Sequence, residues 1–370
     1  MRVIVTGATG NVGTALVRAL LRDPRIDEIV GIARRRPIWA PPRTRWIQAD
    51  VARDDLRQHL AGADALVHLA WLIQPSRDRR ITEAVNVEGS RRTFDAAVDA
   101  GVPTLVHASS VAAYSPADPQ DPVDESWPTG GIPGSYYSEQ KVAVERILDG
   151  VETAHPGLRT VRLRPGLIFQ RSAAAELRRY FGGPLVPGWL ARRSLIPAVP
   201  RMPGLAAQIV HADDIGDAYR LAVTAPGASG AYNVGAFPPL DAATLGHLLG
   251  ARPVSLPPRV TRALIDLSWR ARLHPVSPDW LDVGLGVPVM KTDRARTELG
   301  WSPRHGAEDV VLELLDGLRR GAGAGTPPLR PHAGGPLRIR EFLSGVGGAN
   351  ALDRRSAEGP RPGAHRSARG

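Results

Sequence analysis

The stretch Arg2-Val3-Ile4-Val5-Thr6-Gly7-Ala8-Thr9-Gly10-Asn11-Val12-Gly13 decides the fold. Arg2–Thr6 is a short β-branched run, and from Val12 to Arg22 the apolar residues take helical spacing. Between them stand three glycines at intervals of three. A glycine turn here lets the backbone approach a pyrophosphate, and the helix N-terminus offers free N–H groups and the positive end of its dipole. A tight turn with nothing bound is the plain alternative. The match on both sides, strand before and helix after, selects dinucleotide binding through Gly7, Thr9, Gly10, Asn11, Val12 and Gly13.

Outward from this loop, short apolar runs alternate with helical patterns. Glu28–Ala33, Arg45–Gln48, Ala65–Leu69, Thr104–His107 and Thr160–Leu163 read as strands. Asp54–Leu60, Ile81–Ala100 and Ser138–Leu148 read as helices. The alternation predicts an α/β fold, a Rossmann-type doubly wound parallel sheet over residues 1–165. Residues 166–320 read as a smaller mixed substrate lobe. Pro184, Pro187, Pro197, Pro200 and Pro203 break regular structure there, and helical patterns follow near Asp241–Gly250, Val260–Leu273 and Ala307–Arg320. A strand at Ile209–His211 and a helix over Asp213–Val223 suggest that residues 208–235 rejoin the first domain. Residues 321–370, rich in Gly, Arg and Ser, predict a disordered basic tail, with Ile339–Leu343 as a short docked exception.

The 370 residues are 43% hydrophobic and 23% charged, which excludes wholesale disorder. No run approaches the roughly 18 apolar residues of a membrane span. The N-terminus runs straight into the first strand without the pattern of a secretory signal, so a cytoplasmic location is expected. There is no cysteine, hence no disulfide or thiolate chemistry, and no metal site is expected. The formal net charge of +10 raises nucleic acid as a partner. Half of it, however, lies in the last fifty residues, so no specific nucleic-acid binding is expected and an acidic partner or RNA is left to the tail. Of 47 basic residues only Lys141 and Lys291 are lysine, which draws attention to both.

Lys141 closes Tyr137-Ser138-Glu139-Gln140-Lys141, where Tyr and Lys at i and i+4 share one helical face. A neighbouring ammonium favours the phenolate and brings a phenol into range for proton transfer. Just beyond a predicted strand lies His107-Ala108-Ser109-Ser110-Val111-Ala112-Ala113-Tyr114. Open parallel sheets bind ligands outside the carboxyl ends of their strands, and a serine there can hydrogen-bond a reacting oxygen.

Together these motifs resemble the extended short-chain dehydrogenase/reductase superfamily, in particular its NAD(P)-dependent epimerase/dehydratase-like members. The likeness continues through His68-Leu69-Ala70, Asn86-Val87-Glu88-Gly89, Leu163-Arg164-Pro165-Gly166, Val210-His211-Ala212-Asp213-Asp214, Tyr232-Asn233-Val234-Gly235 and Leu299-Gly300-Trp301. The resemblance implies that Tyr137 is the catalytic acid/base, and that Lys141 lowers its pKa and holds the nicotinamide ribose. It implies that Ser110 orients the reacting oxygen, that Asp50 and Val51 meet the adenine, and that Leu69, Ala70 and Pro165 line the cofactor cleft. Asp50 also suits a helix N-cap. Tyr136 lacks a lysine at i+4 and is set aside. Family members commonly pair as homodimers through the helices at Ile81–Ala100 and Ser138–Leu148.

NAD-preferring sites carry an acid at the end of the second strand. Here Ala33-Arg34-Arg35-Arg36 stands instead, and Arg34 suits a 2′-phosphate, so NADP is the expected cofactor with NAD as the alternative. Sugar-nucleotide 4,6-dehydratases carry Asp-Glu where this chain has Val111-Ala112, which argues against that reaction. Arg164-Pro165-Gly166-Leu167-Ile168-Phe169-Gln170 also resembles reductases of the dihydroflavonol and hydroxysteroid type. The second lobe offers Leu185, Trp189, Leu190, Leu195 and Ile196 as apolar groups, and Arg178, Arg179, Arg192, Arg193 and Arg201 as a candidate diphosphate clamp. The expected activity is hydride transfer between a nicotinamide cofactor and a carbonyl or alcohol carbon of a small molecule. The alternatives are a sugar-nucleotide epimerase and, from another class, a non-catalytic NAD(P)-sensing regulator.

Overall fold

A computed structural model describes residues 1–73, 77–182 and 191–331. Leu185, Trp189, Leu190 and the Ile339–Leu343 segment lie outside the described residues.

The chain begins on β1 (Arg2–Thr6), turns through the glycine loop into α1 (Asn11–Leu21), and returns on β2 (Glu28–Ala33) and β3 (Thr44–Gln48). The short α2 (Arg57–Leu60) leads to β4 (Ala65–His68). The next helical stretch has three parts: α3 (Arg79–Glu83), a π-helical segment over Ala84–Glu88, and α4 (Gly89–Asp99). Then come β5 (Thr104–Ala108), the long α5 (Tyr136–Ala154) and β6 (Arg159–Pro165). The second lobe opens with β7 (Leu167–Phe169), α6 (Ala174–Leu177) and β8 (Ala198–Arg201). β9 (Ile209–His211), α7 (Ala212–Thr224) and β10 (Gly230–Val234) follow. The chain continues through α8 (Ala242–Leu249), β11 (Arg252–Ser255), α9 (Pro258–Arg270), α10 (Asp279–Gly286), α11 (Asp293–Leu299) and α12 (Ala307–Arg320).

Seven strands make one parallel sheet in the order β10-β6-β5-β4-β1-β2-β3. Side chains alternate across it. Val3 and Val5 of β1 join α1, α7 and α11 in one core, while Ile4 joins α2, α4 and α5 in the other. Helices thus cover both faces, as near-continuous apolar strands require. Trp301 is fully buried in the first core and donates its indole N–H to the Asp214 carbonyl oxygen at 2.8 Å. β10 completes the sheet by pairing with β6 from Gly230↔Val161 to Val234↔Pro165, while β9 pairs with β7 in a separate two-stranded ribbon.

Three expectations need correction. Pro200 does not prevent a strand: β8 pairs with β11 in an isolated two-stranded ribbon, and proline is tolerated at such edges. The ordered chain also does not stop at 321. Ala322 N donates to Gly317 O, and its own oxygen accepts from Ala175 N. Thr326 and the 3₁₀ turn Pro327–Leu329 follow, with Leu329 fully buried. A Gly/Pro-rich composition concealed one apolar anchor. Helix α2 is shorter than Asp54–Leu60, because Asp50 and Asp54 instead fold residues 50–54 into a turn.

Candidate active site

The glycine loop is shaped by contacts that no side chain would permit. Gly7 has φ +68°, and a Cβ there would lie 2.7 Å from the Leu69 carbonyl. At Gly13 a Cβ would lie 2.3 Å from Gly7 O. α1 starts at Gly10 with no side-chain cap, so its first N–H groups face a ligand position unopposed. This bare cradle fits a dinucleotide diphosphate. Asn11 fastens the loop to β7: its amide N–H donates to Ile168 O (3.1 Å), and its Oδ1 accepts from Gln170 Nε2 (2.7 Å) just beyond that strand.

Leu69 and Ala70 run alongside, with Leu69 N donating to Thr6 O and Ala70 N to Thr6 Oγ1. Asp50 Oδ1 accepts from Ala52 N at 3.1 Å within a turn, so Asp50 is not the helix N-cap the sequence suggested: α2 starts later, with Leu56 at its N-cap. Val51 is buried where Gly89 lets α4 come close. Arg34 is half-buried at the end of β2, and Pro165 is buried at the end of β6. The π-helical segment aims Asn86 at the loop after β4. Its amide exchanges hydrogen bonds with the Leu72 backbone (2.7 and 3.0 Å) and donates to Gln140 Oε1 (2.9 Å).

The fold brings Tyr137 and Ser110 into contact and sets Lys141 one turn along the same helix as Tyr137. Tyr137 O–H donates to Ser110 Oγ at 3.2 Å. Ser110 caps the 3₁₀ turn Val111–Ala113 by accepting from Ala112 N at 3.1 Å. Lys141 Nζ donates to Ala108 O at 2.7 Å and lies 3.5 Å from the centroid of the Trp71 ring, a cation–π contact. One turn further along α5, buried Glu145 accepts from Ser109 Oγ (2.5 Å) and from both arms of Arg164 (2.8 and 2.5 Å). Arg164 also donates to Tyr114 O–H at 2.9 Å, whose proton goes to Asn233 Oδ1 at 2.7 Å. This buried network ties the ends of β5, β6 and β10 around Ser110.

The electrostatics differ from what the resemblance implied. Burial raises the Tyr137 pKa, and the Ser110 hydrogen bond offsets only part of the rise. Lys141 does not counter it, its Nζ being 6.0 Å from the phenol ring centroid. Burial lowers Lys141 itself to about 7, with Glu145 pulling upward. Desolvation is the largest cause at both groups, at the partly buried Tyr137 and the buried Lys141 alike.

The enclosure is aromatic, and the motifs did not announce it. Trp280 of α10 lies against Tyr137 at a tilt of 31° with ring centroids 5.1 Å apart, Phe181 meets Trp280 edge-on at 5.1 Å, and Trp71 meets Tyr137 edge-on at 6.1 Å. The indole N–H groups of Trp71 and Trp280 are buried without a partner. Trp71 directly follows His68-Leu69-Ala70, a position that could have signalled it, whereas Trp280 gives no local signal. The second-lobe arginines do not gather here. Arg193 reaches Leu248 O, Arg201 reaches Ser255 Oγ, Arg192 is exposed, and Arg179 stacks on Tyr180 within electrostatic reach of Arg35.

Residues 3–235 match the model of the NAD dependent epimerase/dehydratase family. The chain belongs to that family. Its sheet and flanking helices are those of the extended short-chain dehydrogenase/reductase fold. A short-chain dehydrogenase/reductase superfamily protein from Agrobacterium tumefaciens, solved with bound NAD, is 25% identical with a TM-score of 0.64, covering 86% of this chain and 97% of that one. An uncharacterized protein of Mycobacterium tuberculosis is 27% identical over 331 residues, 88% of this chain but only 31% of that protein. The chain thus spans about a third of the length of these mycobacterial relatives. A 3-beta-hydroxysteroid dehydrogenase of Mycolicibacterium neoaurum is 30% identical over 189 residues, 49% of this chain and 51% of that protein. Among the described residues, no helix is long and apolar enough to cross a membrane.

Proposed function

We propose that this family member is an NADP-dependent oxidoreductase that interconverts a carbonyl and an alcohol on an apolar small molecule. The observation that carries the reading is the Tyr137–Ser110 contact at 3.2 Å, with Lys141 one turn along the same helix, inside an aromatic enclosure. The bound nicotinamide nucleotide supplies or accepts the hydride. In the reducing direction, Tyr137 gives its proton to the substrate oxygen while Ser110 holds that oxygen in place. Lys141, on the same helix, is placed to hold the ribose of the nicotinamide half. The glycine loop and the open N-terminus of α1 hold the diphosphate, and Leu69, Ala70 and Pro165 flank the nicotinamide half.

An epimerase would use the same dyad. Two observations favour net oxidation–reduction of an apolar substrate: Trp71, Trp280 and Phe181 form the walls, and Arg193 and Arg201 are engaged in the β8–β11 region. A steroid dehydrogenase among the relatives points the same way.

The test follows NADPH oxidation at 340 nm across a panel of hydrophobic ketones, for wild type and Tyr137→Phe. The variant is expected to keep its nucleotide affinity and to lose roughly two to four orders of magnitude in turnover. Turnover near wild type in the variant would overturn the role of Tyr137.

A further inference from the structure

Helix α9 is turned the wrong way round for a helix of a water-facing surface. Such a helix ordinarily sets its apolar stripe against the core. In Pro258–Arg270 no residue is buried. Val260, Leu264 and Leu267 fall at i, i+4 and i+7 and so share one face, yet they are 55%, 61% and 67% exposed. Ala263 and Ala271 are exposed beside them. Ile265 and Trp269, on the other side of the helix, are half-buried, and Arg77 stacks on the Trp269 ring at 4.3 Å. Leu256 just before the helix and Leu273 just after it are exposed as well. Single exposed leucines need no explanation, but a row of them along a helix about 20 Å long marks a contact surface.

The charges at this surface select what it contacts. Arg262 is paired with Asp282 at 2.9 Å and Arg270 with Asp266 at 2.8 Å. Among the described residues, Arg252 of β11, Arg259 at the start of α9 and Arg272 just past its end have no carboxylate partner, and all three are exposed. The apolar stripe is therefore carried between positive charges that the protein does not neutralise. Aliphatic residues on the outer face and arginine at the margins suit the plane of an anionic bilayer, with the leucines among the acyl chains and the guanidinium groups at the headgroup phosphates. A second copy of the chain fits less well, because a two-fold contact brings the stripe against itself and adds the same unpaired arginines from both sides. The exposed face also lacks the aromatic anchor that a shaped protein partner uses.

We propose that α9 docks this protein on the surface of an anionic membrane, lying in the interface without spanning it. The helix leads through residues 271–278 into α10, whose Trp280 lies against Tyr137, so the docked face adjoins the aromatic enclosure along the chain. The proposal stands on the surface of α9 and does not depend on the reaction assigned above.

The experiment is co-sedimentation of the full chain with vesicles of phosphatidylcholine alone and of phosphatidylcholine mixed with phosphatidylglycerol. It compares wild type with Leu264→Gln/Leu267→Gln and with Arg259→Gln/Arg272→Gln. Glutamine leaves the charge at the leucine positions unchanged and is a good helix former. Wild type is expected to sediment with the mixed vesicles, far less with phosphatidylcholine alone, and less as salt is added. The leucine variant should bind the mixed vesicles at least roughly tenfold more weakly, the effect of burying one leucine side chain, at an unchanged melting temperature. The arginine variant should lose the preference for phosphatidylglycerol. Wild type that stays in the supernatant with both vesicles overturns the proposal. Undiminished binding by the leucine variant also overturns it, and assigns the attraction to the basic stretch 321–370. A lowered melting temperature in that variant would make the leucines part of the fold and overturn it as well. Light scattering without lipid tests the remaining occupant: an assembly of wild-type chains that the leucine variant dissolves would give the stripe to a second copy and overturn docking on lipid.

Discussion

Replacing Lys141 by methionine removes an ammonium that the fold buries at a measurable cost. Burial brings its pKa from 10.5 down to about 7. In the unfolded chain the same group stays protonated until about pH 10. Between those limits the unfolded state binds more protons than the folded state, so raising the pH favours folding. Below about pH 7 both states are protonated and the full penalty applies. Across the window, the wild-type protein should gain roughly 1.4 kcal/mol of stability per pH unit from this one group. That is about 3 kcal/mol between pH 7.5 and 9.5, or on the order of 5 °C in melting temperature for a chain of this size. Lys141→Met lacks the titrating group but loses the hydrogen bond to Ala108 O. That loss is the same at every pH and cancels in the slope. The assay is thermal melting of nucleotide-free protein from pH 6 to 9.5, read as the difference between the two proteins. The variant should melt higher than wild type at pH 6, with its advantage shrinking as the pH rises. Parallel curves over the whole range would refute the claim that desolvation governs this lysine.

Two further outcomes follow from close contacts. Gly13→Ala would place a Cβ 2.3 Å from Gly7 O, so the loop must shift. Nucleotide binding followed by calorimetry should be lost, and an unchanged affinity would mean that the loop does not carry the diphosphate. Leu329→Ala should lower stability by about 2–4 kcal/mol in denaturant unfolding, because the side chain is fully buried. A change within experimental error would mean that the fold-back contributes no packing.

The features legible in the sequence are those written in local spacing. The glycine loop, the Tyr137–Lys141 face and the serine beyond β5 each occupy one turn or one strand end, and the structure brings them together. The burial of these groups was not legible. Spacing suggested that an ammonium beside a phenol would lower its pKa. The enclosure by Trp280 reverses the balance, and Trp280 arrives from α10, far along the chain. Asn86 reaches Leu72 and Gln140 only because the helix is over-wide at Ala84–Glu88, a backbone feature that apolar periodicity does not report. The fold-back at Ala322–Pro331 was hidden by composition, since averages over a Gly- and Pro-rich segment dilute one buried leucine.

The return of β10 and α7 to the first sheet also governs the order in which this protein can be completed during synthesis. Strands β1–β6 leave the ribosome first, but the face of α1 bearing Leu16, Val17 and Leu20 is covered by Ile215, Ala218, Tyr219 and Ala222 of α7. The edge of β6 is closed only by β10. At ordinary elongation rates of roughly 5–20 residues per second, the nascent first domain therefore waits several seconds with one helix face and one strand edge open. During that interval the growing chain is most exposed to capture by chaperones, and slowed translation of the second lobe would lengthen it.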